Sequence, residues 1–197
     1  MYLVDDNAEE QICAAMRDAG IDVDRYRASG ALIVEGTQET YCKQGCFDPD
    51  LMIEFLKRQT DAAKRQGYTA LRVTGETTWA LRGSSTPDRL IEYENRLNLF
   101  FPEHDCLALC QYNAGKFTPE IIRDVIYTHP RVIYGGHVCD NCYFISPDKF
   151  VPADSAQYHV ECFLENIKER QNAVEQLRES EKKYKELVES ANSIILR

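Results

Sequence analysis

Cysteine is the residue type here that offers the most chemistry: there are eight in the chain. Two pairs stand out by spacing. Cys139 and Cys142 lie in GGHVCDNCYF (135–144), and Cys42 and Cys46 lie in TQETYCKQGCFDPD (37–50). Short spacings suit a tetrahedral thiolate site, because two ligands from one turn reach the same zinc ion; His137 offers a replacement for one thiolate. The same spacings suit a redox pair, since vicinal loop thiols come within disulfide reach. The third possibility is that these thiols are incidental, and spacing alone leaves all three open. The other cysteines carry less. Cys106 and Cys110 share one face of the apolar run CLALCQYN with Ala108 and Tyr112, where a buried thiol is a small hydrophobe. Cys13, among alanines, reads the same way. Cys162 reads as a position on a helix surface, close enough to a seam to meet its mate in a dimer.

The second candidate is VTGETTWALRG (73–83), which follows a strand-like run. In open α/β sheets ligands bind beyond the carboxyl ends of strands, and Glu76 and the sole tryptophan, Trp79, fall at such an end. Arg72 and Arg82 are close by in sequence. The competing expectation is that Trp79 packs in the core while Glu76 caps the next helix. Enzyme signatures are missing. The sequence has no G-x-x-x-x-G-K-[ST] loop, no G-x-G-x-x-G, no G-x-S-x-G and no kinase catalytic motif. Catalysis by this chain is therefore not expected.

The elements that must position these residues alternate. YLV (2–4) reads as a strand end. A helix over 9–20 follows, with N-cap chemistry at Asp5, Asp6 and Asn7 and a stop at Gly20. ALIVEG (31–36) is a strand and 37–50 a polar loop. Residues 50–67 make a helix, 69–76 a strand, 86–101 a helix, 106–113 a strand, 118–130 a helix, and RVIYGG (131–136) a last strand. Strands alternating with helices predict an α/β domain with a mostly parallel sheet covered by helices, over residues 1–152. The near-continuous apolar character of ALIV and CLALC predicts strands buried on both faces.

Residues 156–190 differ, with no Gly or Pro and many Glu, Lys, Arg and Gln. Phe163, Ile167, Arg170, Val174, Leu177, Glu181, Tyr184 and Val188 alternate at spacings of four and three, a heptad seam made imperfect by Arg170 and Glu181. It predicts a long C-terminal helix, either a solvated amphipathic helix packing back on the domain or, favoured by the length of its polar face, a parallel homodimeric coiled coil. The net charge of −9 and the lack of a basic stripe argue against nucleic acid. Apolar runs are too short to span a membrane, and the acidic N-terminus lacks a secretory signal, which predicts a cytoplasmic protein with reduced thiols.

Several segments resemble a known family. DNAEEQICAAMRDAGIDVDRY, FDPDLMIEFL, GYTALRVTGETTWALRG, LIEYENRLNLFFPEHDCLALCQYN and IIRDVIYTHPRVIYGG are similar to the MEDS domain, the methanogen/methylotroph DcmR sensory domain. The resemblance implies a RecA/KaiC-like fold that has lost its ATPase function and senses simple hydrocarbon derivatives or related signals. It also implies a place ahead of PAS and histidine-kinase domains, or beside a DNA-binding domain. On this reading Arg72, Glu76, Trp79 and Tyr112 line a crevice for a small-molecule ligand. Cys42, Cys46, Cys139 and Cys142 then serve a metal, with zinc the candidate, or respond to an oxidant. The family's first strand and helix, carrying a His-x-Cys segment, have no counterpart here. Cys42, Cys46 and Cys142 also depart from its pattern. LRESEKKYKELVESANSIILR resembles the signalling helix (153–190) that leads into a PAS domain, whose first strand would start at 191–197. The expected role is the input end of a sensor kinase. A nucleotide-binding remnant and a purely dimerising scaffold are the alternatives.

Overall fold

A computed structural model describes residues 1–40, 47–82, 87–149 and 156–195. The chain divides into two units, Met1–Phe150 and Val151–Arg197. In the first, β1 (Tyr2–Val4) leads to α1 (Glu9–Asp18) and α2 (Val23–Ala28), then β2 (Val34–Gly36) and the single turn α3 (Thr37–Thr40). Next come α4 (Pro49–Arg65), β3 (Leu71–Glu76), a 3-10 turn over Thr78–Leu81, α5 (Pro87–Phe100), a 3-10 turn over Phe101–Glu103, β4 (Cys106–Gln111) and α6 (Pro119–Thr128). The hairpin β5 (Arg131–Tyr134) and β6 (His137–Asp140) closes the series.

Helix starts follow local chemistry. Asp48 accepts hydrogen bonds from the N–H groups of Asp50 (2.9 Å) and Leu51 (3.3 Å), with Pro49 in the first turn of α4, where its missing N–H costs nothing. Asp22 caps α2 by accepting from Arg25 N–H, and Thr118 caps α6 by accepting from Ile121 N–H. The expected cap of α1 is corrected. Ala8 occupies that position, its N–H bonded to the Gln11 side chain, while the side chains of Asp5, Asp6 and Asn7 are engaged by Thr78 and Arg82, by Lys116 and by Glu76. The short helices α2 and α3 are additions to the predicted set, α3 falling in the stretch expected to be loop.

The sheet has four strands, all parallel, in the order β2-β1-β3-β4. Because side chains alternate along a strand, each residue's parity fixes its face. Leu3, Val73, Ala108 and Cys110 face one side, where α4, α5 and α6 contribute Met52, Leu56, Leu90, Tyr93, Leu97 and Ile122 to the main core. Tyr2, Val4 and Val34 face the other side, against Cys13, Ile12 and Met16 of α1 and Val23 of α2. Those two helices pack against β1 and β2. On that face of β4, Leu107 is 63 % and Leu109 43 % exposed, so the expectation of burial on both faces fails there. The apolar run is real, but the covering layer stops short of it.

The segment expected as a last strand of the sheet, RVIYGG, instead forms an antiparallel pair with residues 137–140. Gly135 and Gly136 have φ of +57° and +80°, the pair of left-handed residues that a two-residue hairpin turn requires. The glycines read as a strand end are thus a turn that reverses the chain.

The second unit contains α7 (Ala156–Ile195), a single helix of 40 residues. Residues 191–195, read as the start of a PAS strand, continue the helix. A helix satisfies its backbone groups internally, whereas a strand needs a neighbour. No helix among the described residues is long and apolar enough to cross a membrane.

Candidate functional site

The chain runs from β1 towards β2 on one side and from β3 towards β4 on the other. The carboxyl ends of β1 and β3 therefore flank the switch point where open α/β sheets bind ligands. Here a side chain of the protein itself lies in that crevice. Glu76, the last residue of β3, directs Oε2 at the loop after β1 and accepts from the backbone N–H groups of Asp5 (2.8 Å), Asp6 (2.6 Å) and Asn7 (3.1 Å). Its Oε1 accepts from Asn7 Nδ2 at 2.6 Å. Successive N–H groups converging on one anion make the kind of nest that cradles phosphates elsewhere. Burial alone would raise the Glu76 carboxyl, but the bonds from the Asn7 side chain and from the N–H groups of Asn7, Asp5 and Asp6 outweigh it and hold the group below its usual range.

Beside this carboxylate lies a second one. The Asp5 side chain is buried and accepts from the hydroxyls of Thr37 and Thr78 (the latter at 2.6 Å) and from Arg82, so the ends of β1, β2 and β3 meet on it. Lys116 pairs with Asp6 at 2.8 Å from beyond β4. Tyr2 and Gln111 share hydrogen bonds below Glu76, and Gln111 Nε2 donates to Thr74. The crevice is a polar floor of two held carboxylates with Arg82 and Lys116 at its rim.

A separate cluster lies across the sheet, on the face covered by α5 and α6. Glu94 of α5 is only 2 % exposed. It accepts from the Tyr112 hydroxyl through Oε1 and from the Cys110 thiol, 3.6 Å away, through Oε2. His129, just past α6, places Nε2 3.4 Å from the same Oε2. The His129 Nδ1 lies 2.8 Å from the Val125 carbonyl oxygen, which can only accept, so Nδ1 carries a proton and Nε2 is the nitrogen turned to the carboxylate. Burial, reinforced by the neighbouring Glu94 charge, pushes the Cys110 thiol well above its ordinary value.

A family model matches the sequence: MEDS, the MEthanogen/methylotroph, DcmR Sensory domain, over residues 1–130, well over half of the chain. The chain belongs to the MEDS family. No curated protein and no solved structure gives a significant match. Within this MEDS domain the four residues read as a ligand crevice are dispersed. Glu76 lies at the switch point, joined to α1's approach rather than to the following helix. Trp79 is in the core against Phe47, ring centroids 4.3 Å apart. Arg72 sits near the start of β3, four residues and so about 13 Å from Glu76, beside a cavity lined by Met1, Ile33, Gln59 and Ala62. Tyr112 is on the opposite face from Glu76, with Glu94.

Cys139, in β6, and Cys142, just after it, are both exposed and free. Cys42 and Cys46 lie outside the described residues, as does the side chain of Cys162. Among the described residues one group of three His, Cys, Asp or Glu side chains converges closely enough to hold a metal ion: Glu94, Cys110 and His129. Spacing in the sequence points to neither Glu94 nor His129, and there Cys110 reads as a small hydrophobe. One signal was present: Glu94 interrupts the stripe Leu90, Ile91 and Leu97 on the apolar face of α5, a place where a carboxylate needs partners.

Proposed function

We propose that this MEDS domain is the signal-input module of a two-component-type sensor kinase. In this reading it detects a small C1- or hydrocarbon-type ligand, or a redox change at its cysteines. It passes the signal through a dimeric helix to PAS and kinase domains downstream. The observation that carries the reading is membership of a sensory-domain family across residues 1–130. Two features support it further. The N–H nest after β1 is filled by Glu76, which leaves the domain's own carboxylate where a nucleotide phosphate would compete. In α7, Ile167, Val174, Leu177, Tyr184 and Val188 are exposed along the heptad seam, an apolar stripe suited to a second copy. The chain itself performs no catalysis in this scheme. Free exposed thiols at Cys139 and Cys142 are the described candidates for a response to oxidant.

Amide hydrogen exchange on the full chain, with and without a mild oxidant or a simple halogenated hydrocarbon, tests the reading. The expected result is a dimer in sedimentation whose exchange along residues 156–195 changes with at least one signal. A monomer at all concentrations, or exchange and melting temperature unmoved by every compound and oxidant, would sink it.

A further inference from the structure

We propose that Glu94, Cys110 and His129 form a binding site for a divalent transition-metal cation of the zinc class, with a fourth coordination position open. The argument begins with spacing. Bonds of about 2.0–2.3 Å at tetrahedral angles put neighbouring ligand atoms about 3.3–3.6 Å apart. Here Nε2 of His129 is 3.4 Å and Sγ of Cys110 3.6 Å from Oε2 of Glu94, and all three ligand atoms lie within 4.8 Å of one another. Two of the three spacings thus already match those around a bound cation.

The surroundings fit as well as the spacing. A metal-ligating histidine holds its second ring nitrogen in a hydrogen bond, which fixes the ring and its tautomer. The His129 Nδ1–H does this with the Val125 carbonyl, leaving Nε2 for the cation. A ligating carboxylate is itself oriented by a hydrogen bond, and the Tyr112 hydroxyl supplies one to the other oxygen of Glu94. The three ligands come from an α5 interior position, the end of β4 and the residue after α6. Asn141 secures the last of these by donating to the carbonyls of Ile126 (2.6 Å) and His129 (2.7 Å). Thiolate, imidazole and carboxylate together select a borderline cation over calcium or magnesium, which prefer all-oxygen shells. Three protein ligands leave room for water or a small ligand, the arrangement of open rather than structural zinc sites. Binding deprotonates Cys110, and its proton leaves to solvent as the sulfur–metal bond forms.

Cation binding here does not depend on what the domain signals, and its test is separate from the exchange experiment above. The full chain carrying C42S, C46S, C139S and C142S is stripped with chelator and titrated with Zn²⁺ and, as a spectroscopic probe, Co²⁺. The expected result is one cation per chain, with a Co²⁺ spectrum showing tetrahedral ligand-field bands and sulfur-to-cobalt charge transfer. Adding Cys110→Ser should remove the charge-transfer band, and Cys110→Ser or His129→Gln should weaken binding by about 100-fold or more, beyond the 10–100-fold typical of outer-shell changes. Tyr112→Phe should weaken it about 10-fold while leaving the bands tetrahedral. Melting curves of the metal-free variants separate lost ligands from lost folding, and the parent's Co²⁺ spectrum decides the matter if a variant fails to fold. No stoichiometric cation, a spectrum without sulfur ligation, or affinity indifferent to Cys110 and His129 overturns the proposal.

Discussion

Replacing Glu76 by Gln keeps the shape of the side chain and removes its charge, so it isolates what the carboxylate does at the switch point. With the amide oxygen at the Oε2 position, three backbone N–H groups keep an acceptor. The amide nitrogen then faces Asn7 Nδ2, which now bonds Oε1 at 2.6 Å, donor against donor. Hydrogen bonds to charged groups are worth about 1.5–3 kcal/mol and neutral ones about half as much. Since three donors share one oxygen, their losses do not add fully, and the expected cost is about 3 kcal/mol. For a domain of this size that lowers the melting temperature by about 6–12 °C. The pH dependence has a definite sign. Glu76's folded pKa lies below its unfolded one, so its contribution is present above the unfolded value and is lost as pH falls through the folded value. Below about pH 4.3, the ordinary glutamate value, the melting curves of wild type and Glu76→Gln should converge. Differential scanning calorimetry from neutral pH downwards reads both effects. A Glu76→Gln protein melting within about 2 °C of wild type at neutral pH, with a constant gap on acidification, would refute the reasoning.

Trp79 is buried against Phe47, so Trp79→Ala should cost about 3–5 kcal/mol in urea-unfolding stability. The Cys139→Ser/Cys142→Ser protein should lose two fast-reacting thiols in an Ellman titration under native conditions, because both are exposed while burial raises the Cys106 and Cys110 thiols. Asn141→Ala removes two hydrogen bonds to carbonyls at the end of α6 and should cost about 1–2 kcal/mol by chemical denaturation.

What the sequence determined by itself was local and periodic. Apolar periodicity over 50–67 announces α4, although the helix starts at Pro49 on an Asp48 cap, inside the stretch read as loop. Alternation places Cys106, Ala108 and Cys110, with Tyr112 just beyond, on one face of β4, as the structure has them. The segments of residues 1–130 also carried the family, because a family likeness is a property of residue order. Parity along a strand, however, does not say what covers that face. Leu107 and Leu109 have the pattern of a doubly buried strand, yet both are exposed on the face where α1 and α2 pack against β1 and β2. Gly135 and Gly136 look like a strand end until a partner strand makes them a turn. Only tertiary structure joined Glu76 to N–H groups some 70 residues away, and Glu94, Cys110 and His129 into one cluster from three elements. The physical reason is the same in both cases. A buried carboxylate must be met by donors, and which donors arrive is decided by strand order and helix placement, which no local pattern encodes.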